Sequence, residues 1–151
     1  CGLCGIESLK QFYSEMPLVS SKVPSVWLNQ IPSAIAQLKA RQRISELTGG
    51  AHAAAWVVKG QIVVLFEDVG RHNALDKLLG HLAEQKLNVK EGFVVMTSRA
   101  SYELIRKCAQ YNIGLLATIS APTSMAIEMA KKLNLTLASF CRGDSFVLYT
   151  Q

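Results

Sequence analysis

The sequence predicts an α/β layered sheet, largely parallel in its C-terminal half. Three observations carry that expectation. Beyond residue 90, short apolar runs rich in Val, Ile and Leu alternate with segments of helical period, the pattern of parallel strands joined by crossover helices. Half of the 151 residues are hydrophobic and 18% are charged, which is enough apolar material for one compact domain. No internal repeat or low-complexity tract breaks the pattern, so solenoid and disordered classes are disfavoured.

Taken in order, residues 1–30 read as a flexible arm, punctuated by Pro17 and Pro24 and carrying a C-x-x-C pair at Cys1 and Cys4. Residues 31–151 read as a single α/β domain. A helix is expected from Pro32, with Ala34, Ile35, Leu38, Ile44 and Leu47 on one face, until Gly49 and Gly50 stop it. Residues 53–58 and 62–66 form a hairpin that turns at Lys59 and Gly60. A strong helix follows, striped by Ala74, Leu75, Leu78, Leu79, Leu82 and Ala83, with Asn73 as its cap and Asp76 three residues on. Strands are then expected at 93–97, 115–119, 135–140 and 145–150, the last at a sheet edge. Helices at 102–111 and 124–133 separate the first three of these. Cys108 reads as a small core side chain, Met125 and Met129 as a core pair, and His81 as a surface or packing residue.

The composition also sets limits on function. The longest apolar runs fall well short of the roughly 20 residues that span a bilayer, and no basic-plus-apolar signal segment is present. A net charge of +5 favours anionic partners such as phosphates or a nucleotide, although a solvated surface gives the same sum. The lysines are scattered, with no basic stripe interleaved with aromatics, so a nucleic-acid polymer is a weak reading. Four cysteines are too few for a disulfide scaffold, and a reduced, cytoplasmic setting follows. The chain opens on Cys rather than Met and is expected to be the C-terminal part of a longer protein.

Polar residues gather where the expected strands end. Those ends run into segments 67–73, 98–101, 120–124 and 141–145. Ligands of open α/β sheets bind beyond the carboxyl ends of the strands, and helix N-termini there favour anions. Arg71, Arg99 and Arg142 fall in three of these segments, and guanidinium groups suit bidentate phosphate contacts. The plainer alternative is that Asp, Ser and Asn cap helices here while the arginines face water. His52 and His72 lie in glycine-punctuated segments and suit an acid, a base or a phosphate donor.

The Cys1 and Cys4 pair has three readings. A C-x-x-C thiol with a depressed pKa keeps a thiolate fraction near neutrality, and a thiolate takes up sulfur by attacking a persulfide. Half a zinc site is disfavoured, because zinc takes four ligands and a second C-x-x-C is missing. A thioredoxin-like redox pair would sit between a strand and a helix, not ahead of the fold.

Taken together, CGLCG at 1–5, TGGAH at 48–52, EDVGRHNALDK at 67–77, SRASYE at 98–103 and SAPTS at 120–124 resemble the FdhD family, the accessory sulfurtransferases of formate dehydrogenase maturation. The resemblance covers nearly the whole chain, in order. It implies a three-layer α/β/α fold with a cytidine-deaminase-like mixed sheet. It also implies a sulfur carrier that takes persulfide sulfur from a cysteine desulfurase. The sulfur would pass to the molybdenum cofactor, bis-molybdopterin guanine dinucleotide, before insertion into formate dehydrogenase. By matching position, Cys1 bears the persulfide and Cys4 assists it. The cofactor segment is Phe140, Cys141, Arg142, Gly143, Asp144 and Ser145, with Arg71, His72, Ser98 and Arg99 in the neighbouring strand-end segments. GDP would mimic the client, and a homodimer is expected. The alternative is a cofactor-binding chaperone of the apo-dehydrogenase that carries no sulfur. Deamination does not follow, since the H-x-E and P-C-x-x-C signatures are missing and no metal site is expected.

Overall fold

The computed structural model describes residues 16–151. In these residues the chain forms α1 (Ser25–Ala40), α2 (Arg43–Thr48), β1 (His52–Val58), β2 (Gln61–Asp68), α3 (Arg71–Glu84) and β3 (Gly92–Met96). It continues with α4 (Tyr102–Gln110), β4 (Leu115–Thr118), α5 (Ser124–Lys132), β5 (Thr136–Arg142) and β6 (Ser145–Thr150).

The six strands build one mixed sheet in the order β2-β1-β3-β4-β5-β6. β1 is antiparallel to both β2 and β3, β3-β4-β5 are parallel, and β6 returns antiparallel at the edge. The β1–β2 hairpin turns at Lys59 (φ 50) and Gly60 (φ 75), two successive left-handed residues that match strand twist in a two-residue loop.

Alternation along each strand sends side chains to two cores, and the sheet is the middle of three layers. Ala54, Trp56, Val94, Met96, Leu116 and Leu137 pack beneath α3, α4 and α5. Ala53, Ala55, Val57, Phe93, Val95 and Leu115 pack beneath α1. Both faces of β3 and β4 are covered, and every residue of these two strands is buried.

Three sequence expectations need correction. The helix expected from Pro32 begins at Ser25, runs through Pro32 and breaks at Arg41 and Gln42 before the short α2. Burial explains this, because Trp27 and Ile31 continue the buried stripe of Ala34, Ile35 and Leu38. Two large side chains give about 3–6 kcal/mol on burial, which matches or exceeds the roughly 3 kcal/mol that an interior proline costs. Residues 25–30 therefore belong to the domain rather than to an arm. Upstream of them, Val19 and Ser21 are also buried, and Val19 N–H donates to Leu133 O at 2.8 Å. Second, α3 is capped by the extended backbone of Gly70, not by Asn73, which falls inside the helix. Third, Met129 is buried but Met125 is 43% exposed, so the two do not form a core pair.

Cys108 is fully buried, and burial pushes its thiol up to about 12, consistent with a core role. Among the described residues no helix is long and apolar enough to cross a membrane.

Candidate functional site at the carboxyl edge of the sheet

Strand direction decides where the predicted residues meet. Since β2 and β3 are both antiparallel to β1, the strands β2, β3, β4 and β5 all point the same way. Their carboxyl ends, the start of β1 at His52 and the start of β6 at Ser145 share one edge. Backbone bonds then stitch the segments beyond that edge together. Ala100 bridges Pro122, Thr123 N–H donates to Ala100 O at 3.0 Å, and Phe140 N–H donates to Ser120 O at 3.3 Å.

The three arginine segments do lie on this edge, but they do not meet at a point. The segment with Arg71 follows β2 and that with Arg142 ends β5, four strand spacings apart. At about 4.8 Å per spacing this is roughly 19 Å, so the arginines line an elongated edge. Arg99, which follows β3, lies between them.

At the β2 end, ionic groups fix the geometry. Asp68 Oδ1 accepts from Gly70 N–H at 2.9 Å and from Asn73 Nδ2 at 3.2 Å, while Asp68 Oδ2 accepts from Lys77 Nζ at 2.6 Å. Lys77 also donates to Glu67 O at 3.1 Å. The Lys77 ammonium, the Gly70 N–H and Asn73 together hold the Asp68 carboxyl down at about 2, against the smaller opposing effect of burial. The Glu67 carboxylate turns the other way and accepts from Ile44 and Ser45 N–H at 2.9 Å, tying α2 to β2. α3 thus starts at a fixed angle to the sheet, with Arg71 and His72 in its first turn.

His52 shares strand parity with Ala54 and so faces the α3 side of the sheet. Burial, and then the nearby Arg71 guanidinium, lower its pKa, which favours a neutral ring. Buried Arg71 Nε has no hydrogen-bond partner. His72 Nε2 approaches Glu103 Oε2 to 3.5 Å without forming a hydrogen bond. Burial alone would raise the Glu103 pKa, but the Ser101 side chain, its own backbone N–H and His72 outweigh it, and the group stays a carboxylate.

At the β5 end, neutral groups fix the geometry. Thr118 and Ser139, both fully buried, share a hydroxyl–hydroxyl bond of 2.6 Å on adjacent strands. The β5–β6 ladder slips between Ser139 and Arg142, and Phe140 takes up the slip at φ 53 while remaining 38% exposed. A left-handed aromatic residue is rare, and such strain concentrates at functional sites. Segment 141–145 comprises the end of β5, a tight turn through Gly143 and the start of β6, with Arg142 paired to Ser145. The Cys141 side chain is buried in the α1 core, and burial pushes its thiol to about 12. Phe140 and Arg142 are exposed at the edge, whereas Ser98 is buried beside it. Cys1 and Cys4 lie outside the described residues.

Sequence reasoning left three features unfound: the Phe140 bulge, the Thr118–Ser139 bond and the interlock of Asp68, Asn73 and Lys77. The first two carry no local signal. The third was visible as acidic and basic residues in one segment, at a spacing whose meaning depends on the strand-to-helix turn.

The sequence matches the FdhD/NarQ family along residues 1–151. It is 63% identical over 150 residues to the sulfur carrier protein FdhD of Acinetobacter baylyi, covering 99% of this chain and 55% of that protein. It is 54% identical over 153 residues to the sulfur carrier protein FdhD of Chromobacterium violaceum, covering 99% and 57% respectively. The chain thus spans about half the length of the curated relatives it matches. A crystal structure from Desulfotalea psychrophila, assigned to a formate dehydrogenase accessory protein, superposes with a TM-score of 0.82 at 26% identity, covering 94% of this chain and 60% of that one.

Proposed function

Because the chain belongs to the FdhD/NarQ family, we propose that it is a sulfur carrier for formate dehydrogenase maturation, acting through a persulfide on Cys1. The observation that carries this reading is the C-x-x-C at Cys1 and Cys4 in a chain 63% identical to a protein of that name. In loading, the Cys1 thiolate attacks the outer sulfur of a cysteine desulfurase persulfide. A new S–S bond forms at Cys1, the donor's S–S bond breaks, and the donor leaves as a thiolate. Cys4 assists. The outer sulfur then passes to the molybdenum cofactor, bis-molybdopterin guanine dinucleotide, before that cofactor enters formate dehydrogenase.

The carboxyl edge supports such a client. Phe140 offers an exposed ring on which a base can stack, and Arg71, Arg99 and Arg142 offer charge to pyrophosphates spread along a lengthy ligand. The protein acts in the cytoplasm, where thiols stay reduced, and as a homodimer.

Mass spectrometry tests the carrier role. After incubation with a desulfurase and cysteine, Cys1 gains roughly 32 Da, one sulfur, and Cys1→Ala abolishes the gain while GDP affinity is retained. A wild-type chain that gains no sulfur yet binds GDP would refute the carrier role in favour of a cofactor chaperone. Reversible Cys1–Cys4 oxidation without added sulfur would indicate a dithiol redox protein.

A further inference from the structure

A groove of about 390 Å³ runs between α3 and α4, lined by His72, Asn73, Asp76, Glu103, Arg106 and Lys107 among others. It lies within the size range of small-molecule sites, roughly 300–1,000 Å³. Its upper end is the first turn of both helices, so it opens beside Arg71 on the carboxyl edge. Its charges are mixed, two carboxylates against two cations, and Lys107 Nζ bonds Asp76 Oδ1 across it at 2.5 Å. A phosphate would meet Asp76 and Glu103 at a cost, which favours a neutral ring here and phosphates by the arginines.

His72 and Glu103 supply the specific chemistry. The buried His72 Nε2 has no hydrogen-bond partner, and the Glu103 carboxylate stands 3.5 Å from it, too far for a good bond. Buried polar groups are nearly always paired, so the donor capacity left unspent at His72 Nε2, facing a carboxylate, needs an explanation. Turning the imidazole aside breaks no hydrogen bond at Nε2, only the 3.5 Å ionic contact with Glu103. Once open, the pair presents an N–H donor beside a carboxylate acceptor.

We propose that the α3–α4 groove is a subsite for a 2-amino-4-oxopyrimidine ring, the edge shared by guanine and pterin, read by Glu103 and His72. One Glu103 oxygen accepts the ring N–H and the other accepts from the exocyclic amino group, while His72 donates to the ring carbonyl. This deepens the proposed function and rests on it, since a bis-molybdopterin guanine dinucleotide carries two guanines and two pterins. A ring stacked on Phe140 and a ring in the groove are therefore compatible.

The test titrates the full chain with GDP, with inosine diphosphate, which lacks only the amino group, and with pterin itself. Wild type should prefer GDP over inosine diphosphate by about tenfold or more, the range of a charged hydrogen bond. In Glu103→Gln that ratio should fall to about one for a guanine subsite. If the groove takes the pterin instead, the GDP ratio stays put and pterin affinity falls about tenfold. If neither changes, the inference is overturned while the proposed function stands. If wild type binds neither GDP nor pterin, the inference is overturned, and the carrier role is decided separately by the sulfur gain on Cys1. Should Glu103→Gln lose its cooperative thermal transition, His72→Phe carries the test. It should weaken binding of the ring that the groove takes, with GDP and inosine diphosphate affected equally, and wild-type affinities for all three probes would overturn the inference.

Discussion

The two ends of the carboxyl edge are built by opposite means. At the β2 end, Asp68, Lys77, Asn73 and Glu67 fix the start of α3 and the seat of α2 through charged, partly exposed groups. At the β5 end, a buried hydroxyl pair, a backbone slip and a left-handed Phe140 fix the turn into β6 through neutral groups, and the charged Arg142 and Asp144 are left exposed. The difference follows from position in the sheet. β2 is an edge strand, open to water, where ions are cheap to keep. β4 and β5 lie inside the sheet between two helical layers, where an unpaired charge costs far more than a paired hydroxyl.

The largest expected effect is at Phe140. Phe140→Gly relieves about 1 kcal/mol of left-handed strain and adds a similar entropy to the unfolded chain, so the melting temperature stays within a few degrees. Binding of GDP should nonetheless weaken about ten- to hundredfold, the worth of one stacked base. Unchanged affinity would remove Phe140 from the site.

Thr118→Val comes next. It keeps the shape of the side chain and orphans the buried Ser139 hydroxyl, a loss of about 1–3 kcal/mol read from chemical unfolding. Adding Ser139→Ala should recover part of that loss. A double variant as unstable as the sum of the two singles would mean that the pair does not act as a unit.

The smallest effect separates the two ends by pH. The Asp68 carboxyl titrates near 2 in the folded state, below its ordinary 3.8. With a depressed folded value, its contribution is complete above about pH 4 and disappears as pH falls toward 2. The Gly70 amide resonance should therefore shift with a midpoint near pH 2, while the amides of Thr118 and Ser139, buried and paired through neutral hydroxyls, follow only global unfolding. A Gly70 midpoint near 3.8 would show that the Asp68 interlock is not formed in solution.

Much of the architecture was legible in the sequence, because period and punctuation are local. The Lys59-Gly60 turn, the buried runs at β3 and β4 and the stripe on α3 each depend on residues within a few positions of one another. The start of α1 was misread because Pro24 and Pro32 signal breaks locally, whereas burial of Trp27 and Ile31 against a sheet formed later in the chain outweighs them. Met125 was misread because helical spacing alone does not say which way a nine-residue helix is rotated. The placing of Arg71, Arg99 and Arg142 at strand ends was legible, but their spacing along the edge was not, since strand order is not written in any one segment.

The sequence alone determined the α/β class, the segments that end on the carboxyl edge and the family, because each is carried by residue order and short-range pattern. Only the tertiary structure decided how those segments are spaced, that Cys141 turns inward while Phe140 turns outward, and that His72 and Glu103 face each other. Those outcomes rest on strand pairing and on helix packing across the sheet. Both join residues that are distant in the chain, and their energies depend on burial that exists only once the layers have closed.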